Sequence, residues 1–140
     1  MKFRDAYREY DKRVNLELDK TGIFYAFDEI QFNKNKPIKD AKDSEYLSVG
    51  YGAYIHKKDK DKLTKYFNEI APQLKKELVS KVNIEDFIYY ELINYECYYT
   101  GDYTDILEVL KPFYTDISDN EMLEKIKDVY YKHLKDSKEG

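Results

Sequence analysis

The chain holds no tryptophan, one cysteine, two histidines, three prolines and five glycines in 140 residues. A single thiol, Cys97, excludes an internal disulfide and any cysteine-built metal cluster, and it fits a reducing compartment. The two imidazoles, His56 and His133, do not make the H-E-x-x-H spacing of a helical zinc site. No serine sits in a G-x-S-x-G elbow, and no phosphate-binding P-loop is present. No apolar run approaches the length of a membrane span. The opening residues, Met1-Lys2-Phe3-Arg4-Asp5, are charged and unlike a signal peptide. These absences set the expectation of a cytoplasmic protein with no membrane attachment, no cofactor and no recognisable catalytic motif.

What the chain does have is phenol. Sixteen tyrosines and seven phenylalanines bring aromatic content to 16%, within 42% hydrophobic and 37% charged residues. That is too much apolar area for a disordered chain, and the length suits one domain over residues 1–140. The second feature is a charge split hidden by the overall −4. From Val82 to Glu124 there are eleven carboxylates and one base, Lys111, a balance of −10. From Lys34 to Lys81 there are twelve lysines and seven acids, a balance of +5. The acidic segment also carries Tyr89, Tyr90, Tyr95, Tyr98, Tyr99, Tyr103 and Tyr114. Neighbouring helix positions point about 100° apart, so both members of Tyr89-Tyr90 or Tyr98-Tyr99 are rarely buried together. Some phenols must therefore reach the surface beside carboxylates.

Periodicity predicts an α+β fold, mainly helical, with a small antiparallel sheet. Phe3, Tyr7, Tyr10, Val14 and Leu18 mark an amphipathic helix, and Gly22 stands where a left-handed cap would. Ile23–Phe27 and Tyr46–His56 read as the two strands, with Gly50 and Gly52 as a bulge or exposed backbone. Residues 28–42 read as a loop, with a helical turn at 29–32. Leu63, Tyr66, Phe67, Ile70, Leu74 and Leu78 resume helical spacing, with Pro72 as a kink or a fresh start. Asn83 caps a helix expected from Ile84 to Tyr99, with Ile84, Phe87, Ile88, Leu92 and Tyr95 inward. Gly101 ends it, and Thr104 caps a short helix before Pro112. Ser118 and Glu121 form a capping box for the last helix, with Met122, Ile126, Val129 and His133 in line. Residues 135–140 read as a tail.

Each candidate for chemistry has a plainer explanation. Gly50-Tyr51-Gly52 lacks the third glycine of a dinucleotide fingerprint, so a strand or bulge explains it better. A small-molecule binder, such as a nucleotide-sequestering protein using the Gly50 and Gly52 backbone with nearby lysines, remains an alternative. Glu96, Asp102 and Asp105 are the carboxylates a metal-assisted hydrolase would use, though they match no cation motif and helix capping accounts for them. Cys97 reads as a small buried apolar residue, His133 as a packed helix residue, and His56 as a solvated strand end. The acid-broken lysine run 57–62 reads as a solvated turn rather than a nucleic-acid patch. A scaffold that merely oligomerises is a further alternative.

Phe24-Tyr25-Ala26-Phe27 with Gln31-Phe32, and the run from Tyr95 to Tyr103, resemble stretches of small uncharacterised proteins from low-GC bacteria and their phages. The bias toward Lys, Asn, Ile and Tyr agrees with an AT-rich genome. The resemblance carries no reaction and no catalytic residue. It implies a mobile-element accessory role, similar in size, source and composition to anti-defence proteins such as anti-CRISPRs. On that basis the chain is expected to be a non-enzymatic inhibitor of a host defence nuclease. Its surface would be Glu91, Glu96, Tyr98, Tyr99, Asp102, Tyr103 and Asp105. Its partner would be a basic, nucleic-acid-binding protein, with no direct binding of nucleic acid by the chain itself. Carboxylates can take phosphate positions, and phenols can stand in for stacked bases.

Overall fold

The computed structural model describes the backbone of residues 2–139 and the side chains of residues 2–134. The fold is α+β and mainly helical, as the periodicity predicts. The elements are α1 (Phe3–Asp19), β1 (Phe24–Tyr25), α2 (Glu29–Asn35), β2 (Tyr46–Gly50), β3 (Ala53–His56), α3 (Lys60–Lys65), α4 (Ala71–Lys81), α5 (Ile84–Asn94), α6 (Cys97–Thr100), α7 (Ile106–Leu110) and α8 (Asp119–Glu139). Single 3₁₀ turns at Asp43–Glu45 and Lys57–Asp59 lead into β2 and α3. The backbone of α8 runs to Glu139. The side chains of 135–140, where a tail was expected, lie outside the described residues. Two compact units are distinguished: Tyr10–Leu74, and Met1–Glu9 with Lys75–Gly140.

The unit Tyr10–Leu74 holds the sheet, three antiparallel strands in the order β1-β3-β2. The single strand expected over Tyr46–His56 is in fact a hairpin. Tyr46 pairs with His56 and Leu47 with Ile55, and the register shifts between Ser48 and Gly50. Gly50, Tyr51 and Gly52 all take positive φ, at 96°, 53° and 78°. Positive φ at both central residues is what the tightest hairpin turns need, and glycine adopts it without strain. The segment read as the second strand therefore supplies two of the three strands. Gly52 has a further reason to be glycine, because a Cβ there would meet the Phe27 ring at 2.6 Å. Phe24, Tyr46 and Ala41 form a small core, with Phe32, Ile38 and Tyr54 packed on it. Tyr46 is tied at both ends of its hydroxyl, donating to the Ile38 carbonyl at 2.9 Å and accepting from the Ile38 amide at 3.2 Å.

Pro72 lies in the first turn of a fresh helix, α4, which begins at Ala71, the second of the two expected alternatives. Between α3 and α4 the chain widens into a π-helical turn, Tyr66–Ile70, and the Ala71 amide donates to the Tyr66 carbonyl. A proline lacks an amide and crowds the carbonyl four residues back, and one wide turn relieves both problems. The inserted residue also shifts the apolar face. Tyr66, Ala71, Leu74 and Leu78 are buried, while Phe67, expected inward, is 58% exposed. His56 is likewise not simply solvated. Its Nδ1 accepts the Lys58 amide at 3.1 Å, and its ring meets Tyr46 edge-on.

The other unit is built on α5, α7 and α8 with the start of α1. Asn83 caps α5 through the Glu85 amide at 2.7 Å, and Ser118 Oγ accepts the Glu121 amide at 3.2 Å, both as expected. Phe87, Ile88, Leu92, Ile106, Leu110 and Ile126 are fully buried. Phe87 lies among rings, with Phe3 at 4.9 Å, Phe113 at 5.0 Å and Tyr114 at 5.9 Å between centroids. His133, on α8, packs against Tyr89 at 4.1 Å, as expected of a packed helix residue.

Candidate functional site at the turn from Tyr95 to Asp105

The helix expected to run from Ile84 to Tyr99 stops at Asn94. The Tyr95 amide still bonds to the Glu91 carbonyl at 2.9 Å, but Glu96 then takes a left-handed φ of 54°. That conformation costs a side-chain-bearing residue roughly 1–2 kcal/mol, so the packing that follows must hold it. Cys97, 1% exposed, supplies such an anchor at the start of α6. The single turn of α6 ends at Gly101, with φ 79° and its amide on the Cys97 carbonyl at 2.8 Å. A Cβ at Gly101 would meet open space, so the glycine is needed for its conformation and not for room. Tyr95 thereby leaves the inward face of α5 and is 49% exposed.

Asp102, rather than Thr104, organises the next step. One Asp102 carboxylate oxygen accepts the Thr104 amide at 3.0 Å and the Thr104 hydroxyl at 2.8 Å. Those hydrogen bonds hold its carboxyl below the usual range. Asp105, the residue before α7, makes no side-chain cap bond. The phenols interlock with α8. Tyr98 stacks on Tyr130 at 4.9 Å and 4°, and its hydroxyl donates to the Val129 carbonyl at 3.4 Å. Tyr103 lies 4.8 Å from Tyr130 and 6.2 Å from Tyr131. Tyr99 projects outward and is 91% exposed. An open groove of about 300 Å³ runs between Leu92, Ile93, Glu96, Tyr98 and Tyr99.

Six of the seven residues expected at the surface therefore lie along one short stretch, with Tyr98 and Tyr103 half-buried and the other four exposed. Glu91 departs from that expectation. It is 2% exposed, one turn inside α5, with Asn94 Nδ2 at 3.5 Å as its side-chain partner, and burial pushes its carboxyl up. Its place was readable, since it falls seven residues after Ile84 on the inward face. What sequence reasoning missed was Tyr130 and Tyr131. They are another adjacent tyrosine pair, but they lie beyond the acidic segment, and only the return of α8 brings them to the turn.

Among the described residues some carboxylates of the acidic segment are paired with lysines, and those of this turn are not. Glu85 pairs with Lys132 at 3.3 Å, and Lys111 lies between Glu108 and Asp119 at 3.5 and 3.3 Å. Among the described residues Glu96, Asp102 and Asp105 have no basic partner. Burial, followed by the charges of Asp102 and Asp105, pushes the Cys97 thiol up, so those acids act on the interior of the turn. A raised thiol is a poor nucleophile. Among the described residues no three His, Cys, Asp or Glu side chains gather as a metal site. Nor is any helix among them long and apolar enough to cross a membrane.

Residues 6–133 match a family of unknown function, DUF7659, and the chain belongs to that family. The family description assigns no reaction. No curated protein and no solved structure is significantly similar to the chain.

Proposed function

We propose that the chain is a non-enzymatic accessory protein of a phage or other mobile element. In this reading it inhibits a host defence nuclease by covering a basic, nucleic-acid-binding surface with the turn from Glu96 to Asp105. The observation that carries the reading is the combination at this turn. Three carboxylates without basic partners among the described residues flank a phenol that is 91% exposed, on a backbone fixed by two left-handed residues. Unpaired surface acids meet a basic groove with little loss of existing contacts, and opposite charge speeds association and makes it salt-sensitive. Tyr99 supplies the flat, amphipathic surface that interface anchors use.

The test is a pull-down from host lysate, repeated over a salt series and with duplex DNA as competitor. The expected result is capture of a nucleic-acid-binding protein that both salt and DNA release. Glu96→Lys with Asp105→Lys should abolish capture in a protein that still folds. A captured partner with an acidic surface, or capture unchanged by the double reversal, overturns the proposal.

A further inference from the structure

An open cavity of about 400 Å³ lies in the unit Tyr10–Leu74 and not at the turn above. Its apolar walls are the rings of Phe27, Phe32, Tyr46 and Tyr54, and its remaining lining is Asp28, Glu29 and Asp43. Phe32 stands at right angles to two of the others. Phe32 meets Tyr46 at 5.3 Å and 83°, and Tyr54 at 5.1 Å and 83°. Four of the seven lining residues are aromatic, and aromatic π systems attract cations. Each wall is held in place independently of any ligand. Phe32 sits on α2, whose first turn Asp28 caps by accepting the Gln31 amide at 2.8 Å. The Tyr46 hydroxyl is fixed by both backbone groups of Ile38. The Phe27 ring lies against Gly52, where any Cβ would displace it, and the Phe27 amide donates to Gln31 Oε1 at 2.9 Å. Phe27 is nonetheless 79% exposed, a large ring kept out of the core at the mouth of the cavity.

The charges agree with the rings. None of the seven lining residues is a base. Asp43 has Lys36 at 3.9 Å, which leaves Asp28 and Glu29 to set the sign at the mouth. Carboxylates there oppose a phosphate, so this cavity does not suit the nucleotide that the neighbouring Gly50 and Gly52 brought to mind. It suits the opposite charge. From this we infer that the cavity is an aromatic cage for an alkylammonium group, as carried by a free quaternary amine or by a methylated lysine side chain. The volume lies in the range of small-ligand sites.

The test follows the amide resonances of isotope-labelled protein at constant ionic strength. The probes are choline, its uncharged tert-butyl isostere, and a short peptide bearing trimethyllysine. Saturable shifts at Phe27, Phe32 and Tyr54 with choline or with the peptide, but not with the isostere, support the cage. The tighter of the two charged probes tells whether the ammonium is free or borne on a protein. Phe27→Ala should weaken binding by about two- to fivefold, the range of one exposed cation–π contact, and Glu29→Gln should weaken it in the same direction. Both positions are exposed, and circular dichroism confirms that the variants fold. Equal binding of the isostere, absence of saturable shifts, or wild-type binding by both variants overturns the inference.

Discussion

The protein places the same two ingredients, carboxylates and aromatic rings, in two different arrangements. At the turn after α5 the rings of Tyr98, Tyr103 and Tyr130 face one another, so their π surfaces are already occupied and what reaches solvent is Tyr99 and a row of acids. Around the cavity of the other unit Phe32 stands perpendicular to Tyr46 and Tyr54, and these rings line a hollow with Phe27. The first arrangement suits a broad basic surface, and the second suits a single small cation. Composition alone does not distinguish the two, because ring orientation decides which part of an aromatic side chain is offered.

The comparison implies that rings in the core and rings at the cavity mouth differ in what they contribute to stability. Phe87 is 0% exposed and surrounded by four other rings. Its replacement by alanine should cost about 3–5 kcal/mol in denaturant unfolding. Phe27→Ala should change stability by less than about 0.5 kcal/mol, since the ring is largely in water already. Equal losses in the two variants would mean that Phe27 is structural, and the cage would lose its defining wall.

The next contrast concerns polar groups left inside the helical unit. The Tyr114 hydroxyl is buried without a hydrogen-bond partner among the described residues, and burial pushes its pKa up to about 12. Removing an unsatisfied hydroxyl should help, so Tyr114→Phe is expected to stabilise by about 1 kcal/mol. Glu91 is the second such group, with its carboxyl raised by burial and only partly offset by Asn94. A carboxyl raised in the folded state gives stability that is fully present below the ordinary glutamate range and is lost as pH rises through the folded value. Wild type should therefore gain stability on mild acidification from neutral pH. Glu91→Gln should remove that part of the pH dependence and stabilise the protein at pH 7. Urea midpoints across a pH series check both. A Glu91→Gln variant with an unchanged pH profile would show that the carboxyl is not titrating in the core.

Much of the fold was legible because burial follows simple periods. The inward face of α5, the Asn83 cap and the Ser118 cap are local signals, and each forms the contact its pattern implies. The failures share a cause. Glu96 and Tyr51 adopt left-handed backbone without being glycine, so the end of α5 and the hairpin tip carry only half of the usual turn signal. The wide turn before Pro72 moves Phe67 outward by one residue of phase, which no fixed period anticipates. Of the candidate surface, the exposed acids were readable from charge runs. The Tyr98–Tyr130 stack joins residues far apart in the chain, and no local pattern encodes it.

The smallest expected effects separate the two meanings that a carboxylate can have at the turn. Asp102 bonds to the amide and hydroxyl of Thr104, while Asp105 bonds to neither backbone nor base among the described residues. Asp102→Ala should therefore lower the unfolding midpoint, because the Thr104 amide and hydroxyl lose their acceptor. Asp105→Ala should change stability by less than about 0.5 kcal/mol. Binding should rank them the other way relative to folding. Asp105 makes no hydrogen bond or ion pair among the described residues, so its loss should slow association with a basic partner and flatten the salt dependence without softening the turn. Unfolding curves paired with association rates at two salt concentrations measure both quantities on the same variants. If Asp105→Ala leaves association unchanged while Asp102→Ala impairs it only as far as the turn loosens, the acids shape the backbone, and the surface they make is not an interface.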